Sequence, residues 1–314
     1  RKMVKPEILV QYKRDGLIDQ EHYGYIVLAD KSRAFDFTGD ANGYPFYLRS
    51  CAKPLQASLI IENNLDLTEE EIALCCASHT GEDVHVKIAR QILKKFDIDE
   101  SMLKCGLHKP LSKTKQTEML LKHESENVLQ NNCSGKHIMM LALCKQNGWS
   151  MNDYDNPEHP LQMAIKAQIY ELCNVKKEYP VTKDGCGVPI VSMPLENMLH
   201  GYLNLFSNPK YEKIKSAFLN HPYIIGGENR TDTMIMQNSE GLVAKVGAGG
   251  LCIVVNTTTE EAFIVKISDC DMKARELVVC QVLKNLKWAN IECDKKIKTL
   301  HGDVVGEIEV LPKY

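Results

Sequence analysis

Arg49-Ser50-Cys51-Ala52-Lys53-Pro54-Leu55-Gln56-Ala57 runs into Ser58-Leu59-Ile60-Ile61-Glu62, an apolar stretch of helical character. A hydroxyl and an amine three positions apart share one face of a helical turn, so Lys53 can reach Ser50. Serine alone is a weak nucleophile and needs a base to take its proton. Lysine is such a base only when neutral, a state that burial or a neighbouring cation favours by lowering its pKa. Pro54 disfavours the α conformation at Lys53, so the helix is predicted to start near Pro54. Ser50 then lies on the entering turn, beside orphan N–H groups suited to an oxyanion. An isolated S-x-x-K match is weak. Context strengthens it: Arg49, a strand-like lead-in, a later Ser/His cluster and a second lysine in an apolar strand.

Working outward, the first forty residues read as strands at Glu7–Tyr12, Tyr23–Ala29 and Ala34–Thr38, separated by turn signals at Asp15-Gly16, Asp30-Lys31-Ser32 and Gly39–Gly43. From about 53 to 220 the period turns helical. Thr68-Glu69-Glu70-Glu71 is a capping box ahead of Ile72–Ala77, and Ile88, Ile92 and Phe96 mark one helix face. Strands return at Leu242–Val246, Gly250–Val255 and Ala262–Ser268, followed by a helix capped by Asp271 and a strand at Val304–Leu311. This pattern predicts one composite α/β domain over 1–314. Its antiparallel sheet comes from about 1–48 and 240–314, its helical lobe from about 50–220, and its active cleft lies between them.

A net charge of −3 and a pI near 6.4 give no reason to expect nucleic acid or an anionic membrane. The longest apolar run, Ile138–Cys144, has seven residues, too few to span a bilayer, and no signal peptide is visible. The twelve cysteines lie mostly in apolar segments without a C-x-x-C pair, as expected of reduced core residues in a cytoplasmic protein.

Ala77-Ser78-His79-Thr80-Gly81-Glu82 sits at a helix junction, where Ser78 can cap a helix or relay a proton. Asn131-Asn132-Cys133-Ser134-Gly135-Lys136-His137 precedes an apolar helix whose N-terminus suits an anion. Cys133 becomes a metal thiolate if a second thiol folds close, and Cys186 in Asp184-Gly185-Cys186-Gly187 is the best partner. Lys266 shares a strand face with Ile264 and Ser268. If that face looks into the cleft, its amine stands beside the reacting hydroxyl and lowers the pKa of Lys53. The loop Gly226–Asp232 carries Arg230 between two carboxylates, a combination suited to an amino-acid zwitterion. Lys245-Val246-Gly247 only half matches the K-T-G strand of β-lactamases and lacks its hydroxyl.

Five of these stretches in order, Arg49–Ala57, Ala77–Glu82, Asn131–His137, Asp184–Pro189 and Lys245–Ala248, resemble the pattern of rhizobial-type L-asparaginases, the asparaginase II family. The resemblance spans nearly the whole chain. It implies a fold similar to serine β-lactamases and glutaminases, a homodimer, and hydrolysis of L-asparagine to aspartate and ammonia through an acyl-enzyme. Ser50 with Lys53 resembles a first Ser-Lys pair and Ser78 with Lys266 a second. Cys133, Lys136 and Cys186 resemble a zinc site, and Arg49, His137 and Asp184 the substrate pocket, with Arg230 a further cation for a substrate carboxylate. Gln130, where the family often has His, and Gly249, where an acidic residue is usual, depart from the pattern. Two other readings stay open: an S-x-x-K hydrolase of glutamine, a β-lactam or an ester, and a non-catalytic zinc- or amino-acid-binding protein.

Overall fold

The computed structural model of the chain describes residues 4–312. Strand β1 (Glu7–Arg14) turns at Asp15-Gly16, both at positive φ, into the long β2 (Leu17–Asp30), as an Asp-Gly hairpin should. Strand β3 (Ala34–Thr38) folds back on the second half of β2. Three short strands, β4 (Phe46–Tyr47), β5 (Val181–Lys183) and β6 (Pro189–Met193), make a small sheet of their own. The remaining strands are β7 (Leu242–Gly247), β8 (Leu251–Asn256), β9 (Glu261–Ile267), β10 (Lys296–Lys298) and β11 (Val304–Val310).

The large sheet runs β10-β11-β1-β2-β9-β8-β7, with β3 also on β2 and every pairing antiparallel. The N-terminal hairpin therefore sits mid-sheet, flanked by C-terminal strands on both sides. Register pairs Lys245 with Ile253 and Ile253 with Ile264, so Lys245 shares a face with Ile264 and, two residues on, with Lys266.

A 3-10 turn over Arg49–Ala52 leads into α1 (Lys53–Glu62). Lys53, not Pro54, is its first residue: φ −58°, ψ −45° show that the preceding turn already holds Lys53 helical. Helix α2 (Glu69–Cys76) has the Thr68–Glu71 capping box. Then come α3 (Asp83–Lys95), α4 (Lys113–Lys122) and α5 (Ser134–Asn147). Residues 134–144 of α5 are buried on every side, as a helix apolar all round must be. Next are α6 (Pro160–Leu172), α7 (Leu195–Ser207), α8 (Glu212–Asn220), α9 (Pro222–Ile225), α10 (Thr231–Gln237) and α11 (Met272–Asn285).

Helix α7 packs on β2, β8 and β9, and α11 on β1, β8, β9 and β11. Phe263, on the face of β9 away from Lys266, packs its ring on Trp288 just beyond α11. The Lys245 and Lys266 face is thus left for the helical lobe. Within that lobe α5 meets α2 closely at Gly135, where a Cβ would lie 2.0 Å from the Leu74 carbonyl oxygen. Only glycine permits that approach.

Candidate active site

The Ser50 turn is clamped from two sides. Tyr202 of α7 donates its hydroxyl to the Cys51 carbonyl at 2.7 Å. From the sheet, Gly247 comes so near that a Cβ would sit 2.9 Å from Cys51 Sγ. Arg49 takes φ +50°, a left-handed conformation that costs any residue with a Cβ. Its Nε–H donates to Asp184 Oδ1 at 2.6 Å, which offsets part of that cost.

Lys53 is fully buried and spends its amine on Ser78 Oγ at 2.9 Å, the Ala77 carbonyl at 2.7 Å and the Asn132 carbonyl at 3.2 Å. From the sheet, Lys245 reaches the same Ser78 Oγ at 3.0 Å and donates to the Val246 carbonyl at 2.7 Å. Ser78 is held where α2 has ended: its N–H donates to Ile225 O at 3.1 Å, and Thr80 N–H to Gly226 O at 2.9 Å. Asp232 Oδ2 lies 3.9 Å from the Lys245 amine and accepts from Val246 N–H at 3.3 Å.

Burial drives the Lys245 pKa down to about 8, with Asp232 opposing and the Lys53 charge adding to the fall. Burial also lowers Lys53, opposed by Cys133 and aided by Lys136. Two adjacent amines with depressed pKa values around one hydroxyl are chemically suited to proton transfer. His79 stacks on His85 at 4.7 Å between ring centres and pairs with Ser134 Oγ at 2.8 Å. Burial lowers its pKa far enough to leave it neutral.

Two expectations need correction. Lys266 is not the second amine at Ser78. It lies on the correct face but two strands away, beyond β8. Its amine turns to the carbonyls of Gly249 and, at 2.9 Å, Ile267, and packs over the Phe46 ring. Lys245 on the edge strand takes the place assigned to it. Second, none of the hydrogen bonds of the Lys53 amine goes to Ser50; they go to Ser78 and two carbonyls. Ser50, 9% exposed, is the more accessible hydroxyl of the two.

Asp184 and Cys186 lie in the tight turn joining β5 to β6, closed by Gly187 N–H to Asp184 O at 2.9 Å. That turn faces the start of α5. The Cys186 thiol donates to Cys133, which holds Cys133 well below the usual thiol range and pushes Cys186 up. Burial works against the charge of Lys136, but the two sulfurs outweigh it and raise its pKa. Burial tends to raise Asp184; Lys136 and Arg49 overcome it and hold the carboxyl low. His137 pairs Nδ1 with the Tyr154 hydroxyl at 2.6 Å, while its buried Nε2 has no partner among the described residues.

Two facing sulfurs with a buried amine beside them are a donor set that fits a soft tetrahedral cation once the thiols and the Lys136 amine give up their protons. Among the described residues no cluster of three His, Cys, Asp or Glu side chains forms a metal site, and this set differs in that one donor is an amine.

Arg230 is not grouped with Arg49. Arg49 borders a cleft of about 580 Å³ with Phe46, Tyr47 and Lys266, whereas Arg230 lines a different cavity. The sequence reading passed over Lys245 and Asp232 as site residues. The available signal was a lysine inside an apolar strand segment that ends in Gly247, set aside for want of a hydroxyl.

A search of curated proteins returned no match. Among solved structures, a β-lactamase from Mycobacterium bovis aligns with TM-score 0.42 and 14% identity, over 81% of this chain and 89% of that one. A Bacteroides dorei protein provisionally described as a β-lactamase aligns with TM-score 0.42 and 11% identity, over 78% and 85%. Likenesses this distant say nothing about the chemistry. The family model for L-asparaginase II, by contrast, matches residues 10–310, a span that takes in Ser50, Lys53, Ser78 and Lys245 together. The chain belongs to the L-asparaginase II family of amidohydrolases.

Proposed function

We propose that the protein hydrolyses the side-chain amide of L-asparagine to L-aspartate and ammonia through a seryl ester. The observation that carries this reading is the Ser78 hydroxyl between two buried amines, at 2.9 Å from Lys53 and 3.0 Å from Lys245. Ser50, the accessible hydroxyl on the same turn as Lys53, is the nucleophile. Its proton passes to neutral Lys53 once that amine leaves one of its present acceptors, Ser78 Oγ or the Ala77 and Asn132 carbonyls. Oγ attacks the amide carbon while N–H groups of the turn steady the oxyanion. The Lys53 proton then goes to the departing nitrogen, releasing ammonia and leaving an aspartyl ester on Ser50. Water, deprotonated by Lys53, attacks the ester, and Ser50 recovers its proton as aspartate leaves. Ser78 and Lys245 exchange protons with Lys53 and keep one amine neutral. Arg49 takes the substrate carboxylate, Asp184 its ammonium, and His137 Nε2, buried without a partner, is free to bond a substrate atom.

Cys133, Lys136 and Cys186 would hold zinc. Bound there, zinc would supply positive charge that orders the Asp184 turn and the α5 N-terminus around the pocket. We further place the protein as a homodimer in the cytoplasm, in keeping with twelve unpaired cysteines.

The test is ammonia release from a panel of asparagine, glutamine and simple amides. Asparagine turnover that falls about 10³-fold in Ser50→Ala supports the reading. Asparagine binding without ammonia release would sink it. A second reading, with Ser78 as nucleophile, is favoured by the fact that both amines bond to Ser78. Acyl-enzyme trapped by acid quench and located by peptide mass spectrometry decides between the two serines.

A further inference from the structure

The cavity that Arg230 lines measures about 490 Å³ and is shared with Thr80, Thr231, Lys273, Arg275 and Glu276. Arg230 and Arg275 each bury an Nε–H that has no partner among the described residues. Arg275 is only 6% exposed, and its Nη1 is fixed by the carbonyls of Gly247 at 3.2 Å and Leu251 at 3.4 Å. The nearby carboxylates are already engaged. Glu228 accepts from Ser112 Oγ at 2.5 Å and Thr114 Oγ1 at 2.6 Å. Glu276 accepts from Thr231 Oγ1 at 3.0 Å and pairs with Lys273 at 3.4 Å. Asp232 is turned toward the backbone of Thr233 and Val246. Among the described residues Arg230 has no carboxylate within ion-pairing range.

The Arg230 guanidinium is partly buried with no carboxylate in direct contact, and its planar donors match a carboxylate. Burial lowers the Arg230 pKa; Asp232 opposes this and the Arg275 charge adds to it. The cavity wall is also rigid. Gly227, at φ +115°, packs so closely that a Cβ would lie 2.1 Å from Thr80 Oγ1, which fixes the loop carrying Arg230 against the Ser78–Thr80 segment.

We propose that this cavity is a second binding site, for a small carboxylate-bearing metabolite, separate from the Ser50–Ser78 centre. The test measures binding and not turnover, so its outcome is independent of the amide-hydrolysis reading. Isothermal titration of the full chain uses acetate, succinate, glutarate and citrate, with inorganic phosphate as a parallel arm. At least one carboxylate should bind saturably at one site below about 10 mM. Arg230→Gln should weaken it at least tenfold, while Arg49→Gln leaves it within twofold. Because Arg230→Gln perturbs a partly buried position, the more exposed variant Lys273→Glu, checked for an unchanged melting curve, should weaken it a few-fold. No saturable carboxylate binding, loss in Arg49→Gln instead, no effect of Lys273→Glu, or phosphate binding tighter than every carboxylate would each overturn the proposal.

Discussion

Lys53 and Lys245 converge on one oxygen, Ser78 Oγ, from the first helix of the lobe and from the edge strand of the sheet. A hydroxyl offers one proton and two lone pairs, so with one amine neutral Ser78 accepts from one lysine and donates to the other. The pairing joins sheet and lobe at a single hydroxyl.

Lys245→Met should therefore lose about 10²-fold or more in kcat/KM, as loss of a positioned acid–base group does. Lys266→Met should stay within about fivefold, since its amine is spent on Gly249 and Ile267 carbonyls. Parallel steady-state kinetics of the two variants checks this, and equal losses would contradict it.

The depressed Lys245 pKa sets the pH dependence. The relay needs a neutral amine, so kcat/KM should climb as pH rises through about 8 and level off above. The linkage follows the same sign. Between about 8 and the ordinary 10.5 the unfolded lysine is protonated and the buried one is not, so stability rises with pH across that window. Denaturant titrations of wild type and Lys245→Met at pH 7.5 and 10.5 should shift in favour of the wild type by roughly 3 kcal/mol over that interval. A constant difference would show that the amine is not depressed.

Arg49 combines a strained backbone with an ion pair, and two substitutions separate them. Arg49→Ala and Arg49→Gly both lose the Asp184 contact, but only glycine relieves φ +50°. The glycine variant should be the more stable by about 1 kcal/mol, the cost of a left-handed Cβ. Urea midpoints at equal slope give the comparison. Both variants should raise KM for asparagine.

Gly135→Ala should destabilise despite alanine's better helix propensity. The new Cβ would meet the Leu74 carbonyl at 2.0 Å, a backbone atom that cannot move without parting α2 from α5. Overpacking of this kind costs about 3 kcal/mol, against about 1 kcal/mol gained in propensity. A lowered Tm with reduced activity is expected, because Ser78 hangs from the end of α2; an unchanged Tm would refute the close contact.

The large sheet was legible in the sequence wherever alternation was long and punctuated. Asp15-Gly16 marked the hairpin, Thr68 and Asp271 marked helix starts with side chains that do cap, and Lys266 was assigned to its true strand face. What escaped was strand order. Alternation says which face a lysine takes, not how many strands separate it from a partner, so Lys266 and Lys245 were indistinguishable by pattern. The β4-β6-β5 sheet was missed because two to five residues carry no measurable period, although its turn delivers Asp184 and Cys186. Asp232 was read as part of a loop, since α10 is only seven residues long.

The mid-sheet position of the β1–β2 hairpin has a consequence for biosynthesis. Its two open edges are covered by β11 and β9, which are synthesised more than two hundred residues later. Until they emerge, the nascent chain carries the β1-β2-β3 meander with the outer edge of β1 and one edge of β2 unpaired, a template for self-association. Yield in a foreign host should therefore depend on chaperone capacity and growth temperature more than on the stability of the finished molecule.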